Sequence, residues 1–236
     1  TDPLFTGITT ALDFSATGSG GTMGGMQSGL GIPFGNPTAA DFSWEMVFRL
    51  DDLTGTHILF ESGNTTGSSL SVTGNTLRFN TQSPTLENTI SYTGLEVNRF
   101  YHIVATYNRN QSGPNDQNTL YVNGVQVAQQ SVNTVDNWSG GDPSGMGQVG
   151  SGAQLGPYTD FDGAIAIFRH YSSKVVSQAE VTQNYLALID ATDQVTPVLE
   201  FDARDLATAR DGDASWEFTS NSSAINPTHN NQNWAF

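Results

Sequence analysis

The chain has 236 residues, no cysteine, and 23 acidic against 8 basic side chains, a formal charge of −15. That balance excludes a nucleic-acid partner, because phosphate binding depends on clustered basic charge, and the missing cysteine removes disulfides and thiolate metal sites. Only 13% of residues are charged, so Asn, Gln, Ser, Thr and Gly must cover the surface, as in a secreted or surface-displayed bacterial protein with polar partners. No apolar run approaches the roughly 18 residues of a membrane helix, which excludes membrane insertion by that route.

In chain order, Ile8–Phe14 is a short apolar strand candidate, followed by a stretch over residues 15–35 too rich in Gly for a helix or a long strand. That stretch reads as a surface loop or as one that lets a ligand approach the backbone. It lacks the Gly-Lys-Ser/Thr of a phosphate cradle. From Ser43 to Leu50, Trp44, Met46, Phe48 and Leu50 alternate with Ser43, Glu45, Val47 and Arg49, the pattern of a half-buried antiparallel strand. His57–Glu61 continues in the same style. Leu70–Thr73 and Thr76–Phe79 form a hairpin across Gly74-Asn75, where Gly at the first turn position favours type II′. Shorter strands are expected at Ile90–Tyr92 and Leu95–Val97.

The centre of the pattern is Phe100–Gln130. Tyr101, Ile103, Ala105 and Tyr107 alternate with His102, Val104 and Thr106, all compatible with a strand buried on both faces. Leu120–Val122 and Val125–Ala128 are a tight hairpin about Asn123-Gly124, a pair that supplies positive φ at both turn positions. A long loop region follows, with short strand candidates at Gly147-Gln148-Val149 and Ala153–Leu155. Phe161–Tyr171 is one strand with Ile165, Ile167 and Arg169 on one face. Ser177 and Glu180 then form a capping box ahead of a helix in which Val181, Tyr185, Leu186 and Ile189 recur at helical spacing. Frequent turn signals with almost no helical periodicity predict an all-β antiparallel sandwich with one short helix on its C-terminal side. Residues 1–192 form that domain. Residues 193–236 form an extension of strand plus loop, in which Leu199-Glu200-Phe201 repeats the style of Leu12-Asp13-Phe14; it is the start of a further module or an inter-subunit arm.

The acids do not fall into a catalytic pattern. Retaining glycosidases set two carboxyl groups about 5–5.5 Å apart, which on a strand requires alternate positions. Glu45 stands alone on its strand, Glu61 is followed by Ser and Gly, and Asp51 and Asp52 point to opposite faces. The histidines at 57, 102, 170 and 229 match no zinc spacing. His102 reads as a satisfied core residue and His170 as solvent-facing. No Gly-x-Ser-x-Gly elbow is present.

Three separated pieces, NRFYHIVATY, TLYVNGVQV and FDGAIAIFRHYSSKVVSQAEVTQNYLAL, resemble successive landmarks of laminin-G-like modules of the concanavalin A-like lectin/glucanase superfamily. The resemblance covers Ile8 to Ile189 and implies a jelly roll. The chain departs from the family pattern at Ala164 and Ile167, where members often carry acids. The resemblance also implies calcium at a sandwich rim, where Asp160 and Asp162, flanking Phe161, offer hard oxygen ligands. Sugar recognition needs aromatic faces rimmed by polar groups, and Trp138 and Asp142 in NWSGGDPSG, with Tyr158 in LGPYTD, stand in loops where strand burial does not claim them.

The expected function is a non-catalytic extracellular carbohydrate-binding or adhesion module acting through rim loops on a cell-surface glycan. One alternative is a structural subunit of a surface assembly, a homo-oligomer or polymer built through residues 195–236. A polysaccharide-cleaving glycosidase is the other.

Overall fold

A computed structural model describes residues 5, 8–14, 21–23, 41–63, 67–83, 86–109, 115–133, 144–147, 161–190, 199–202 and 219–220. Fourteen strands and one helix are present among them: β1 (Leu12–Asp13), β2 (Gly21–Met23), β3 (Phe42–Leu50), β4 (Thr56–Gly63), β5 (Gly67–Thr73), β6 (Thr76–Ser83), β7 (Leu86–Thr93), β8 (Phe100–Asn108), β9 (Asn115–Val122), β10 (Val125–Asn133), β11 (Ser144–Met146), β12 (Gly163–Ser172), α1 (Gln178–Asp190), β13 (Leu199–Asp202) and β14 (Thr219–Ser220). They form two antiparallel sheets. The first runs β10-β9-β8-β3-β12-β13-β14 with β1 also on β12, and the second runs β2-β11-β4-β5-β6-β7. The expected all-β sandwich with one helix is therefore present.

The core between the sheets is built from alternate residues of each strand: Trp44, Met46, Phe48 and Leu50 from β3, Ile103, Ala105 and Tyr107 from β8, Leu70 and Val72 from β5, and Leu77 and Phe79 from β6. Trp44 is a core residue, its ring 4.5 Å from that of Phe60 and 5.8 Å from that of Phe168. Both predicted hairpin turns form. Asn123 and Gly124 have φ of 50° and 79°, and Gly74 has φ of 56° with no positive φ at Asn75, the signs of types I′ and II′.

Several expectations are corrected. β3 is buried on both faces, because α1 and the segment around Phe5 and Ile8 cover its outer side; Val47 packs there with Phe5, Ile8, Ala166, Ile167 and Leu188. Only Leu12 and Asp13 of the expected first strand pair with a neighbour. Leu95–Val97 is not a strand; the Leu95 N–H donates to the Asn75 carbonyl at 3.1 Å, tying this segment to the β5–β6 turn. In β12 the register against β3 shifts between Ile165 and Ile167. That bulge sends Ile165 into the inter-sheet core and Ile167 to the helix side, so the two isoleucines do not share a face. Gln148, Val149 and Ala153–Leu155 lie outside the described residues.

The helix begins as predicted. Glu180 Oε2 accepts from the Ser177 N–H at 2.8 Å, Ser177 Oγ accepts from the Glu180 N–H at 3.4 Å, and Lys174 Nζ adds an ion pair to Glu180 at 2.7 Å. Its buried residues are Val181, Asn184, Ala187 and Leu188, with Tyr185 partly buried beside them, whereas Leu186 is 47% exposed. Tyr185 packs on the β9–β10 turn: a Cβ on Gly124 would lie 2.8 Å from its ring.

The paired motifs at the two ends of the sequence meet. Leu12 and Asp13 pair with Ile165 and Ala164, while Leu199 to Asp202 pair with His170 to Ile167, so β1 and β13 share one edge of β12 on either side of the bulge. β13 is thus paired within its own chain.

Candidate functional site

Two clusters of polar side chains stand out, and they differ in what they leave available. The first lies between the outer face of the first sheet and α1. Glu45 of β3 is opposite Arg169 of β12, and His102 and Tyr171 project from the neighbouring strands on the same face. Oε1 of Glu45 accepts from His102 Nε2 at 2.8 Å and Arg169 Nη1 at 3.2 Å; Oε2 accepts from Tyr171 OH at 2.5 Å and Asn184 Nδ2 at 3.0 Å. A carboxylate has about four lone-pair sites, and all are filled.

Burial alone would raise the Glu45 pKa, but the Arg169 charge and the hydrogen bonds from His102 and Tyr171 outweigh it and hold the carboxyl at about 2. Tyr171 is pushed far up, first by burial and then by the Glu45 charge, which keeps it a donor. Neither Glu45 nor Arg169 reaches solvent. This carboxylate has no free lone pair and no path to a polysaccharide; it pins the helix to the sheet. His102 is the core residue the sequence implied, fully buried. His170 is not solvent-facing. It is buried with its ring 4.3 Å from that of Trp44, and burial lowers its pKa to about 3.

The second cluster is the outer face of the second sheet. Since Leu70, Val72, Leu77, Phe79 and Ile90 face the core, strand alternation turns their neighbours outward. Cross-strand register arranges these in rows: Glu61, Ser69, Asn80 and Thr89; then Ile58, Ser71, Arg78 and Ser91; then Gln82 and Glu87; and a threonine row of Thr56, Thr73, Thr76 and Thr93. The face grades from shielded to open. Ser69, Ser71 and Asn80 are buried, whereas Arg78, Thr89 and Ser91 are exposed. Thr89 Oγ1 donates to Asn80 Oδ1 at 2.9 Å and Asn80 Nδ2 donates to Gln82 Oε1 at 3.3 Å, which orients both amides. Among the described residues Ser69 Oγ is buried with no hydrogen-bond partner. Across β5–β7 the described side chains on this face are hydroxyls, amides, one carboxylate and one guanidinium. Glu61 and Glu87 stand three strand spacings and one row apart, roughly 16 Å, wider than either glycosidase geometry. Sequence reasoning missed this face because hydroxyl and amide residues on alternate positions look the same as a merely solvated surface.

Of the expected site residues, Trp138, Asp142, Tyr158 and Asp160 lie outside the described residues. Asp162 is half-buried where the chain enters β12, and its carbonyl accepts from the Asp51 N–H at 3.0 Å. The nearby Asp51 carboxylate is taken by Arg49 at 2.7 and 2.8 Å, while among the described residues none bonds to the Asp162 carboxylate. Among the described residues no three His, Asp or Glu side chains converge as a metal group, and no helix is long and apolar enough to cross a membrane.

A laminin-G family model, described as the concanavalin A-like lectin/glucanases superfamily, matches residues 24–182. The chain belongs to this family. No curated protein sequence matches it. Among solved structures it is similar to the CBM40 of the Ruminococcus gnavus IT-sialidase bound to alpha2,3 sialyllactose, at 14% identity and a TM-score of 0.57, over 74% of this chain and 95% of that one. It is also similar to NanB in a structure with Optactamide, at 18% identity and a TM-score of 0.50 over 61% of this chain. The binding domain of botulinum neurotoxin serotype G is similar at 14% identity and a TM-score of 0.49 over 62% of this chain. The chain spans 36% of the length of the neurotoxin domain and 24% of NanB. At these identities the likeness to the CBM40 and to NanB shows the fold alone. The family match and the Phe161-x-Gly163-x-Ile165 landmark agree, and the glycine of that landmark has a packing cause: a Cβ on Gly163 would lie 2.0 Å from the Arg49 carbonyl oxygen.

Proposed function

We propose that the chain is a non-catalytic carbohydrate-binding module of an exported protein, and that the outer face of β5–β7 carries sugar contacts. The supporting observation is the registered lattice of hydroxyl and amide groups on that face, with Ser69, Ser71 and Asn80 at its shielded margin and Thr89 and Ser91 in the open. Sugars present hydroxyls in both donor and acceptor roles, and Ser, Thr and Asn side chains serve both. A ligand lying over β6 and β7 meets the exposed Thr89 and Ser91 on a rigid sheet, which lowers the ordering cost of binding.

In the same proposal Trp138 and Tyr158 supply ring faces and Asp142 a polar contact from the loops, and the module acts on a cell-surface glycan. Calcium, if bound, takes Asp160 and Asp162, whose carboxylates are hard oxygen donors. The saturation of Glu45 and the separation of Glu61 from Glu87 support a binding rather than a cleaving role.

The test is a glycan array on the intact chain and on Ser91→Phe, which places a bulky ring on an exposed position of the face without touching the core. Loss of the glycan signal in Ser91→Phe at unchanged melting temperature is the expected result. An unchanged signal removes the sheet face from the proposal, and loss in Trp138→Ala and Tyr158→Ala would then assign binding to the loops alone. Release of reducing ends from any bound glycan would overturn the non-catalytic reading.

A further inference from the structure

We infer that Arg78 reads an acid group on the glycan, so that the ligand of this face is a carboxylate-bearing sugar of the sialic or uronic acid class. The inference rests on the carbohydrate reading above and narrows it.

Its starting point is the pairing of the cations. Arg49 is joined to Asp51 at 2.7 Å, Arg99 to Glu96 at 2.9 Å, Arg169 to Glu45 at 3.2 Å and Lys174 to Glu180 at 2.7 Å. Arg109 also has an interaction partner. Among the described residues Arg78 is the cation with no hydrogen bond or ion pair, in a chain where 23 acids outnumber 8 bases. With acids in such excess, a free guanidinium is the least expected state of an arginine, and this one stands in the middle of the polar face.

Its surroundings suit an incoming acid. Ser71 and Ser91 are its direct cross-strand neighbours on β5 and β7, so small hydroxyls flank it on both sides, and on the Ser91 side the face is exposed. Asn80, one position along the same face, is held by Thr89 and Gln82. The acids of the face are out of reach. Glu87 is opposite Gln82, two rows from Arg78, and Glu61 is two strands away; strand spacing and rise put each roughly 12–14 Å off. At physiological ionic strength charges beyond about 8 Å are largely screened, so the net negative charge of the chain does not cancel this local one. The guanidinium fork matches a planar carboxylate in two parallel hydrogen bonds, a geometry that a neutral hydroxyl does not fill.

Matched ligand pairs test this: sialyllactose against lactose, an oligogalacturonide against its methyl ester, and a sulfated lactose as a third arm, each titrated by calorimetry into the intact chain and into Arg78→Gln and Arg78→Lys. The expected result is preference for the acid member of at least one pair, lost by about tenfold to a hundredfold in Arg78→Gln, the loss that removal of a charge-assisted hydrogen bond produces. Arg78→Lys recovers only part of it, and the neutral member is unaffected. Melting temperatures of all three proteins should agree, because the side chain is exposed. Equal binding of acid and neutral members, unaffected by Arg78→Gln, overturns the acid-sugar inference while leaving carbohydrate binding standing. Equal preference for the sulfated sugar overturns the carboxylate assignment. Absence of binding to every glycan overturns both.

Discussion

Glu45 and Arg169 face each other across the β3–β12 ladder, Nη1 3.2 Å from Oε1, with neither side chain reaching solvent. A buried pair is worth little against a well-packed apolar replacement, but removing one partner strands the other charge and typically costs about 3–5 kcal/mol. Arg169→Met is expected to lose stability in that range by urea unfolding. Glu45→Gln should be comparably damaging although it is nearly isosteric, because all of its contacts are donors and an amide nitrogen turned toward any of them repels it. The double variant Glu45→Leu/Arg169→Met should be less destabilised than the sum of its single variants.

Acid should unfold the protein through two groups acting in the same direction. Glu45 ionises at about 2 in the fold against 4.5 ordinarily, so its contribution is complete above pH 4.5 and disappears as pH falls toward 2. His170 titrates at about 3 against 6.5. The unfolded chain therefore takes up its proton first, and stability falls as pH drops from 6.5 toward 3. The His170 contribution to that slope is of the order of 5 kcal/mol in total, at 1.36 kcal/mol per pKa unit. Urea melts at pH 7, 5 and 4 should show it, and His170→Leu should flatten the upper part of the profile.

Gly163→Ala should be severely destabilising. The added methyl would meet the Arg49 carbonyl oxygen at 2.0 Å, a backbone atom in the β3–β12 ladder that cannot move without breaking register. A loss of several kcal/mol, on the order of that for other core overpacking, is expected in thermal and urea melts. Gly74→Ala, at an open turn position with nothing within 4 Å, should lose far less.

The capping box gives a smaller effect. Ser177→Ala removes the acceptor for the Glu180 N–H and a partner of its carboxylate, for an expected loss of about 1 kcal/mol. Hydrogen exchange should locate the change in the first turn of α1.

Calcium binding is checked by calorimetry on the intact chain and on Asp162→Asn. A heat of binding that the substitution weakens is the expected outcome for the Asp160 and Asp162 pair.

Much of the sandwich was legible because turns and alternation are local properties: Asn123-Gly124, Gly74-Asn75 and the β8 pattern each carry their meaning in a few residues. Other features depend on what lies above a strand. The outer face of β3 looks half-polar in sequence because Glu45 is polar, yet α1 covers it, and the carboxylate marks where the helix docks. Ala166 bulges without Gly or Pro to announce it, so the face assignment of Ile167 fails from that point. Leu186 fits a helical stripe as well as Leu188 does, and only the docked orientation separates them. The site was least legible, since Ser69, Ser71, Asn80 and Ser91 become a lattice only when three strands are placed side by side.

The shared edge of β12 determines how this molecule would answer a pull. β13 ends at Ile167 and β1 begins at Ile165, so the chain entering one and the chain leaving the other both depart from the same seam. Tension on the chain entering β1 would strip that strand outward from the seam one bonded pair at a time, the weak unzipping direction, whereas on the other side β14 is paired to β13 and must peel away before β13 is loaded.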